Sequence, residues 1–559
     1  MMVRYLAFLA LCAILSLAFG QAPRPNGVGT ASLDSVDPGE NEFEEREETP
    51  CHNEFRTYDG TCTNERHKTW ASAGRPHFSY FPNRSSRTPT GRELPSPRLI
   101  SNILCKQVGN VYNRRGLSEL LTFFGQFLDH TIVASPVDKT QPMPISVPPY
   151  DPVFQNFSRG NMPFERTERG KMEEHSAVEG PINSLSSAID LSSVYGSDEL
   201  RAKALRSYWK GGMATSAGNN LPINTAGIRN APTKESKYFL AGDHRANEHP
   251  VLTSLHTLFM REHNLICEEL AERFPDWDDE QLFQMARKIN GAQFQKIVYE
   301  QFLPAITGRR LKGYRGYRSE ANPTVSNIFS TAAFRVGHTL VGNGINRRGP
   351  FMWKMASLSM QQMFFRPVDV LREGIEPFLR GAIFNRAQEI DPLVHDSLRN
   401  FLFTGIPQEN GFDLIALNIQ RGRDHALPTY NEIRRLCHRR PAHFFSDITR
   451  SASLQSILLH LYGTPDRVEA WVGLMSEDHL PGSSMGPTLL RVWAAEFERL
   501  RDGDRFFYRQ WGLFPKEVWD AVPRLRSMYY ERDTLRSIIL RNSDVKHYEI
   551  PYDVFRSMV

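Results

Sequence analysis

The chain has 559 residues, of which 40% are hydrophobic and 23% are charged. A chain of this length and composition can bury a large core without relying on disulfides. Its net charge of +4 is too small to indicate a protein that binds nucleic acid, so we expect no such partner.

The N-terminal residues have the pattern of a secretory signal peptide. Arg4 precedes an apolar run at residues 6–17, and small residues follow it. We therefore expect residues 1–20 to be a signal peptide and the protein to be secreted and extracellular. Glycosylation triplets at Asn83 and Asn156 fit this route. Later stretches lack the roughly 18 uninterrupted apolar residues of a membrane span, so we expect none.

The rest of the chain divides into a short leader and one long segment. Residues 21–50 are rich in Pro, Gly and Ser and then strongly acidic, which predicts a disordered propeptide or tail. Residues 51–559 show no internal repeat and no clear boundary. We expect them to form one large domain.

The cysteine pattern predicts one local disulfide. Cys51 and Cys62 bracket a short polar turn, so we expect them to be bonded to each other. Three more cysteines follow, namely Cys105, Cys267 and Cys437. Because three is an odd number, at least one of them stays free or pairs between chains.

Helical periodicity dominates residues 51–559. One apolar stripe runs from Leu117 to Leu128 and another from Leu252 to Ile266, each at the spacing of a helix. Strand-like alternation is scarce, and the stretches 141–152 and 215–231 have the composition of long surface loops. The sequence therefore predicts a mainly α fold with little β structure.

The first stripe carries polar residues that need partners. Gln126 and His130 lie one helical turn apart and share a face, with Asp129 beside them. Taken alone, they are a satisfied core histidine and ordinary polar residues. Five other histidines are interpreted as packing or surface residues, namely His244, His249, His256, His263 and His425. The chain has no HExxH pattern, which argues against a zinc hydrolase.

Four segments together form a specific pattern. They are FGQFLDH at 124–130, FLAGDHRANEHP at 239–250, TAAFRVGHTL at 331–340 and DLIALNIQRGRDH at 413–425. In this order and at these separations they resemble the animal haem peroxidase family, from Cys51 to about Val554. The resemblance implies one large helical domain that binds haem b and reduces hydrogen peroxide.

The resemblance also implies roles for individual residues around the haem. His130 matches the distal histidine, Arg245 the distal arginine and Gln126 the residue at the halide-binding position. His338 matches the proximal iron ligand, and Asn418 matches the residue that accepts the N–H of that imidazole.

Four further matches concern the edge of the haem. Arg335 and Arg421 match residues near the haem propionates, while Asp129 and Glu248 match carboxylates that esterify the haem methyl groups. At the position after Glu248 this chain has His249 and no methionine, so the sulfonium link of the chlorinating myeloid member is not expected.

These roles agree with what cleavage of a peroxide bond requires. A neutral imidazole can move a proton from the inner to the outer oxygen, which suits His130. A guanidinium that cannot deprotonate stabilises charge on the departing oxygen, which suits Arg245. An imidazole with a hydrogen bond at its far nitrogen is a richer iron ligand, which suits His338 with Asn418.

Residues 183–197 resemble the calcium loop of the same family. The resemblance places Ser186, the Ala188 carbonyl, Asp190 and Ser192 at ligand positions. All four offer oxygen, as calcium prefers. The family's aspartate after the distal histidine is Thr131 here, which removes a charged ligand and leaves open a weaker site, another oxygen or no calcium.

The leading hypothesis is a secreted peroxidase that uses hydrogen peroxide to oxidise halides, thiocyanate or phenols such as tyrosine. A fatty-acid oxygenase on the same fold is an alternative, but the YHWH-like motif of the cyclooxygenase branch is absent at Phe334–His338. A secreted adhesion or matrix protein is another, although RGD and KGD triplets are absent. An extracellular-matrix or cell-surface partner and the oligomeric state stay open.

Overall fold

The computed structural model describes residue 51 and residues 54–81, 94–155, 160–172, 178–403, 411–530 and 534–559. The predicted signal peptide at 1–20, the acidic segment at 21–50 and the glycosylation positions Asn83 and Asn156 lie outside these residues. All statements below concern the described part of the chain.

Helices make up most of the regular structure. The α-helices, in chain order, are α1 Pro97–Leu104, α2 Glu119–Ile132, α3 Ser192–Tyr195, α4 Glu199–Ala204, α5 Pro250–Arg273, α6 Asp279–Ile297, α7 Leu303–Thr307, α8 Met360–Met363, α9 Pro367–Glu373, α10 Glu376–Phe384, α11 Asp396–Asn400, α12 Leu414–Asp424, α13 Tyr430–Leu436, α14 Ala452–Tyr462, α15 Ala470–Ser476, α16 Pro487–Asp502, α17 Lys516–Ala521, α18 Pro523–Tyr529 and α19 Leu535–Asn542. Two π-helical turns occur at Val298–Phe302 and Phe329–Ala333. Short 3₁₀ segments occur at Phe334–Leu340, Pro350–Met352, Phe445–Asp447 and Pro465–Arg467.

The strands are few in residues, and most have two or three. They are β1 Arg75–Pro76, β2 Lys106–Gln107, β3 Val137–Pro142, β4 Ile145–Ser146, β5 Asn161–Met162, β6 Glu165–Thr167, β7 Arg169–Lys171, β8 Glu179–Asn183, β9 Gly344–Ile345, β10 Leu358–Ser359 and β11 Val394–His395. The largest sheet has the order β1-β8-β7, and the others are the pairs β3-β6, β4-β5, β9-β10 and the parallel pair β2-β11.

The fold class is confirmed as mainly α, with about 43% helix and 11% strand. The prediction of a loop at 141–152 was wrong in part, because β3 ends at Pro142 and β4 lies inside that stretch. β3 is exposed over most of its length and β4 has only two residues, so neither shows the alternation of apolar and polar residues by which a sequence reveals a strand. No helix within the described ranges is long and apolar enough to cross a membrane.

Helices α2 and α5 are largely buried and pack against each other. The predicted stripe of α2 is fully buried, as is that of α5. The two helices meet through stacked aromatic rings, with the centroids of Phe127 and Phe259 5.4 Å apart. α5 starts sharply because Pro250 occupies its first position and the His249 side chain caps it. The polar residues of α2 are therefore held on a rigid, buried element.

The predicted disulfide is confirmed. Cys51 and Cys62 are bonded, with their Cα atoms 5.6 Å apart. Cys105, Cys267 and Cys437 are all free, which agrees with the expectation for at least one of them. Stability therefore rests on the buried core and not on cross-links.

Candidate active site

A deep cavity collects residues from all four predicted segments. It is lined by His130 of α2, Arg245 of the loop before α5, His338 of the 3₁₀ segment and Arg421 of α12. The space between its atoms, including the part open to solvent, is about 1470 Å³. Much of the remaining wall is apolar, including Phe164, Phe334, Phe364, Phe403 and Trp493. This combination of a large apolar pocket with a few converging polar groups is typical of a cofactor site.

The imidazole of His130 is buried at the wall of this cavity, with 5% of its surface exposed. Burial and then the charge of Arg245 hold its pKa well below the usual range. Its Nδ1 has no hydrogen bond and lies 3.5 Å from Oδ1 of Asp243. Near pH 7 the ring is therefore neutral and able to take up a proton.

The guanidinium of Arg245 is fixed by a two-point ion pair with Asp243. Its Nε donates to Asp243 Oδ1 at 3.0 Å and its Nη2 donates to Asp243 Oδ2 at 2.9 Å. Nη2 also donates to the Val133 carbonyl at 2.9 Å. Burial opposes ionisation of Asp243, but the charge of Arg245 prevails and holds the pKa of that carboxyl well below its usual range. The cation is thus held in one orientation inside a buried site.

The loop that carries Asp243 and Arg245 lies directly against α3. The backbone N–H of Asp243 donates to the Ser193 carbonyl at 2.9 Å. A side chain at Gly242 would lie 2.3 Å from the Ser192 carbonyl oxygen, so only glycine permits this approach. Asp243 stands in the segment 239–250, but no role was predicted for it. The spacing of an acidic residue two positions before Arg245 is the signal that could have identified it.

A chain of hydrogen bonds joins Gln126, His249 and Glu248. Gln126 Nε2 donates to Glu248 Oε2 at 2.8 Å, and His249 Nε2 lies 2.8 Å from Gln126 Oε1. His249 is buried and packs against Phe123, in agreement with its interpretation as a packing residue, and it also lines the cavity and caps α5. The five histidines looked alike in the sequence, since nothing there shows which one faces Gln126. Asp129 lines the cavity as well.

His338 lies on the other predicted segment and contacts Asn418 of α12. Nδ2 of Asn418 lies 2.8 Å from Nδ1 of His338, and Arg335 Nη1 donates to Oδ1 of Asn418 at 2.9 Å. Burial and the charge of Arg335 lower the pKa of His338 to about 3. The Asn418 amide thus presents its Nδ2 to the imidazole. The prediction was that its oxygen accepts the N–H of His338. The reason for the difference is that a guanidinium only donates, so Arg335 holds the amide oxygen.

Arg421 lines the cavity but its Nη1 is directed at the protein around it. This nitrogen donates to the Glu165 carbonyl at 2.9 Å, to Thr167 Oγ1 at 2.8 Å and to Asp424 Oδ2 at 3.1 Å. Its guanidinium lies 4.2 Å from the ring centroid of Phe164. Arg421 thus ties α12 to β6 while it contributes positive charge to the cavity wall.

The predicted calcium loop is joined to α2 by hydrogen bonds. Ser192 Oγ donates to the Thr131 carbonyl at 2.6 Å, and Thr131 Oγ1 lies 2.9 Å from Ser193 Oγ. Asp190 Oδ1 accepts from the Ser192 backbone N–H at 2.8 Å, whereas its Oδ2 is buried without a hydrogen bond. Ser186 Oγ accepts from the Ala188 N–H at 3.1 Å. Across the described ranges, no three His, Cys, Asp or Glu side chains cluster as metal ligands. Of the residues that the resemblance places at ligand positions, Asp190 is the one carboxylate.

Comparison with known proteins identifies the family. The family model described as animal haem peroxidase matches residues 55–555. Peroxinectin A of Dictyostelium discoideum is 35% identical over 81% of this chain and 89% of its own length. Human eosinophil peroxidase is 32% identical over 91% of this chain and 77% of its own length.

Solved structures give the same result for the fold. Peroxidase A of Dictyostelium discoideum superposes with a TM-score of 0.80 and 32% identity, covering 90% of this chain and all of that one. A fatty acid alpha-dioxygenase of Oryza sativa reaches a TM-score of 0.76 at 19% identity over 90% of this chain and 87% of that one, which is a likeness of fold alone. The chain belongs to the animal haem peroxidase family.

Proposed function

We propose that this protein is a haem b peroxidase that reduces hydrogen peroxide and oxidises small donors at the cavity described above. The observation that carries the proposal is the gathering of a neutral imidazole, a fixed guanidinium and a second imidazole around one large pocket. His130, Arg245 and His338 are the residues that supply them. Near pH 7 His130 is neutral and Arg245 is charged, as the reaction requires.

The residues present fit a haem. His338 could ligate an iron through Nε2 only with its ring hydrogen on Nδ1, so the Asn418 amide, whose Nδ2 faces Nδ1 here, would present its oxygen instead. The apolar wall suits the ring, and Arg335 and Arg421 supply positive charge for its propionates. Asp129 and Glu248 line the same cavity, and we infer that they form ester links to the haem methyl groups. When bound, the haem supplies the iron that takes up the two oxidising equivalents of peroxide.

The protein's own contribution is to move one proton and stabilise one charge. His130 is neutral and buried, so it can take the proton from the inner peroxide oxygen and return it to the outer one. Arg245 stays charged and in place because the Asp243 carboxylate pairs with both Nε and Nη2 of its guanidinium. In a site with little water, such a fixed cation stabilises developing negative charge strongly.

Small donors are the substrate class that we assign, namely halides, thiocyanate or phenols such as tyrosine. Gln126 at the cavity wall is the residue that we place at the halide position. A fatty-acid oxygenase of the cyclooxygenase type needs a radical tyrosine beside the haem. Among the described residues that line the cavity, none is a tyrosine, which favours the peroxidase.

We further propose a calcium site of low charge at residues 183–197. The buried, unpartnered Oδ2 of Asp190 is a suitable cation ligand, and Ser186, the Ala188 carbonyl and Ser192 supply neutral oxygens. At the position where the family has a second carboxylate, this chain has Thr131, whose hydroxyl is hydrogen-bonded to Ser193 of α3. Because ligand charge tunes calcium affinity, we expect binding in the range of about 10⁻⁴ to 10⁻³ M. A melting temperature unchanged by calcium and by chelator would contradict this.

The cellular setting is part of the same proposal. We propose secretion directed by residues 1–20, a leader at 21–50 and a peroxidase domain at 51–559. An extracellular donor in a matrix or at a cell surface would then be the natural substrate. Detection of the protein in culture medium, with an N-terminus near residue 21, would test this directly.

The assay that tests the proposed function uses the purified, haem-loaded protein. Hydrogen peroxide is added with bromide, thiocyanate or tyrosine, each in a separate reaction. We expect oxidation that requires peroxide and is abolished by removal of haem. Haem-loaded wild-type protein that oxidises none of these donors would contradict the proposal and favour the adhesion protein.

A further inference from the structure

His249 is a buried histidine, and a hydrogen bond from the backbone determines which of its two ring nitrogens carries the hydrogen. The N–H of Leu252 donates to His249 Nδ1 at 3.2 Å, as part of the cap at the start of α5. Nδ1 must therefore be the acceptor, and the ring hydrogen lies on Nε2. Burial lowers the pKa of His249 to about 3, so this neutral form is the one present near pH 7.

The direction of the next two hydrogen bonds follows from that tautomer. Because Nε2 of His249 carries the hydrogen, it donates to Gln126 Oε1 at 2.8 Å. The amide of Gln126 is then oriented without ambiguity, and its Nε2 donates to Glu248 Oε2 at 2.8 Å. A backbone N–H of a helix thus determines, through two side chains, how one carboxylate is held at the cavity.

Without His249, the amide of Gln126 could turn over. Its oxygen would then face the oxygen of Glu248, an arrangement of two acceptors that loses the hydrogen bond and adds repulsion. The Phe123 ring supports the imidazole, with the two ring centroids 4.8 Å apart. His249 is 3% exposed and Glu248 is 4% exposed, so water competes little with these bonds.

We propose that His249 is a positioning residue which, through Gln126, aims the Glu248 carboxylate for its covalent attachment to haem. The inference rests on the proposed function. In the attachment, a C–H bond of a haem methyl breaks and a bond from a carboxylate oxygen to that carbon forms. Hydrogen peroxide removes two electrons and one proton is consumed, so carboxylate, methyl, peroxide and a proton give the ester and two waters. The bonds of this chain run from Leu252 through His249 and Gln126 to Glu248, so the link at Asp129 serves as the internal reference.

The test separates the link at Glu248 from the link at Asp129. His249→Asn is the informative variant, because asparagine is a good helix cap but is too short to reach Gln126. Wild-type and variant proteins are loaded with haem and treated with hydrogen peroxide. Haem-bearing peptides around Glu248 and Asp129 are then quantified by mass spectrometry over time.

We expect the Glu248 link to form roughly tenfold more slowly in His249→Asn, the effect of one lost hydrogen bond. The Asp129 link should form at the wild-type rate, and the melting temperature before haem loading should change little. Gln126→Leu should cause the same defect, and the double variant should be no worse than either single one. An unchanged rate of Glu248 attachment in His249→Asn would overturn the proposal.

A second measurement needs no haem. In protein with ¹⁵N-labelled histidine, the His249 ring should show the pattern of a neutral ring with hydrogen on Nε2. A neutral ring with hydrogen on Nδ1 would overturn the proposal. Wild-type protein that oxidises donors yet forms no link at Glu248 would also overturn it, while leaving the peroxidase function intact.

Discussion

The two sides of the cavity are built in different ways. On the side of α2, Asp243 holds Arg245 from two positions away in the same loop. On the side of His338, the partner Asn418 comes from a helix 80 residues further along the chain. The pair of Asp243 and Arg245 is local and both of its members are charged. The pair of His338 and Asn418 is uncharged and depends on packing between distant segments. The orientation of the cation therefore depends mainly on its own loop, whereas that of the proposed iron ligand depends on contact between distant segments.

The largest expected effect comes from the side that depends on packing. His338→Ala removes the proposed iron ligand, and no other described residue of the 3₁₀ segment is a histidine. We expect the purified variant to lose nearly all of its haem, measured as the ratio of Soret to protein absorbance. His425→Ala, a buried histidine that is not among the cavity-lining residues, is the matched control. Equal haem content in wild type and His338→Ala would refute the assignment.

Arg245→Ala should have the next largest effect, and on reaction rate instead of haem content. The variant keeps His338 and should keep its haem. Loss of one fixed charge-stabilising donor should slow the reaction with peroxide about 10²- to 10³-fold. Stopped-flow absorbance measures this rate. Arg245→Lys retains the charge but not the two-point geometry, so a value between the two is expected. Wild-type rates in Arg245→Ala would contradict the role.

Asp243→Asn tests whether the local ion pair holds the loop. The change keeps the shape of the side chain but leaves the charge of Arg245 buried without its partner. Removal of one member of such a pair is costly, and we expect a loss of about 3 kcal/mol in the free energy of unfolding at pH 7. Urea denaturation measures it. Haem-free Arg245→Ala is the matched comparison, and a stability equal to wild type in Asp243→Asn would argue that the pair is dispensable.

The last expected effect is a change of stability with pH, and it concerns histidines on neither side of the cavity. Burial lowers the pKa of His77, His256 and His263 to about 4. Between pH 4 and 6.5 the unfolded chain therefore binds protons that the folded one does not, so stability falls as the pH falls. Each histidine should contribute up to about 1.4 kcal/mol per pH unit. Urea unfolding of haem-free protein at pH 7.5, 6.5 and 5.5 measures the slope, and equal stability at all three values would contradict the burial argument.

Much of the fold and of the candidate site could be predicted from sequence, for an identifiable reason. Long amphipathic helices such as α2 and α5 leave a strong periodic signal, and the four motifs carried the resemblance to the family. The pairs β3-β6 and β4-β5 left no such signal because β3 is mostly exposed and the other three strands have two or three residues each. The role of Asp243 and the bonds of His249 were missed because they depend on which side chains meet in space. The orientation of the Asn418 amide likewise depends on its contact with Arg335, and sequence motifs do not show such a contact.

The central claim is that one cavity holds a haem between these two differently built sides and reacts there with peroxide. Its most direct test is the absorption spectrum of the haem-loaded protein before and after one equivalent of hydrogen peroxide, followed by a donor. We expect a Soret band that changes when peroxide is added and that is restored by bromide, thiocyanate or tyrosine. A protein with no Soret band, or with one indifferent to peroxide, would contradict it.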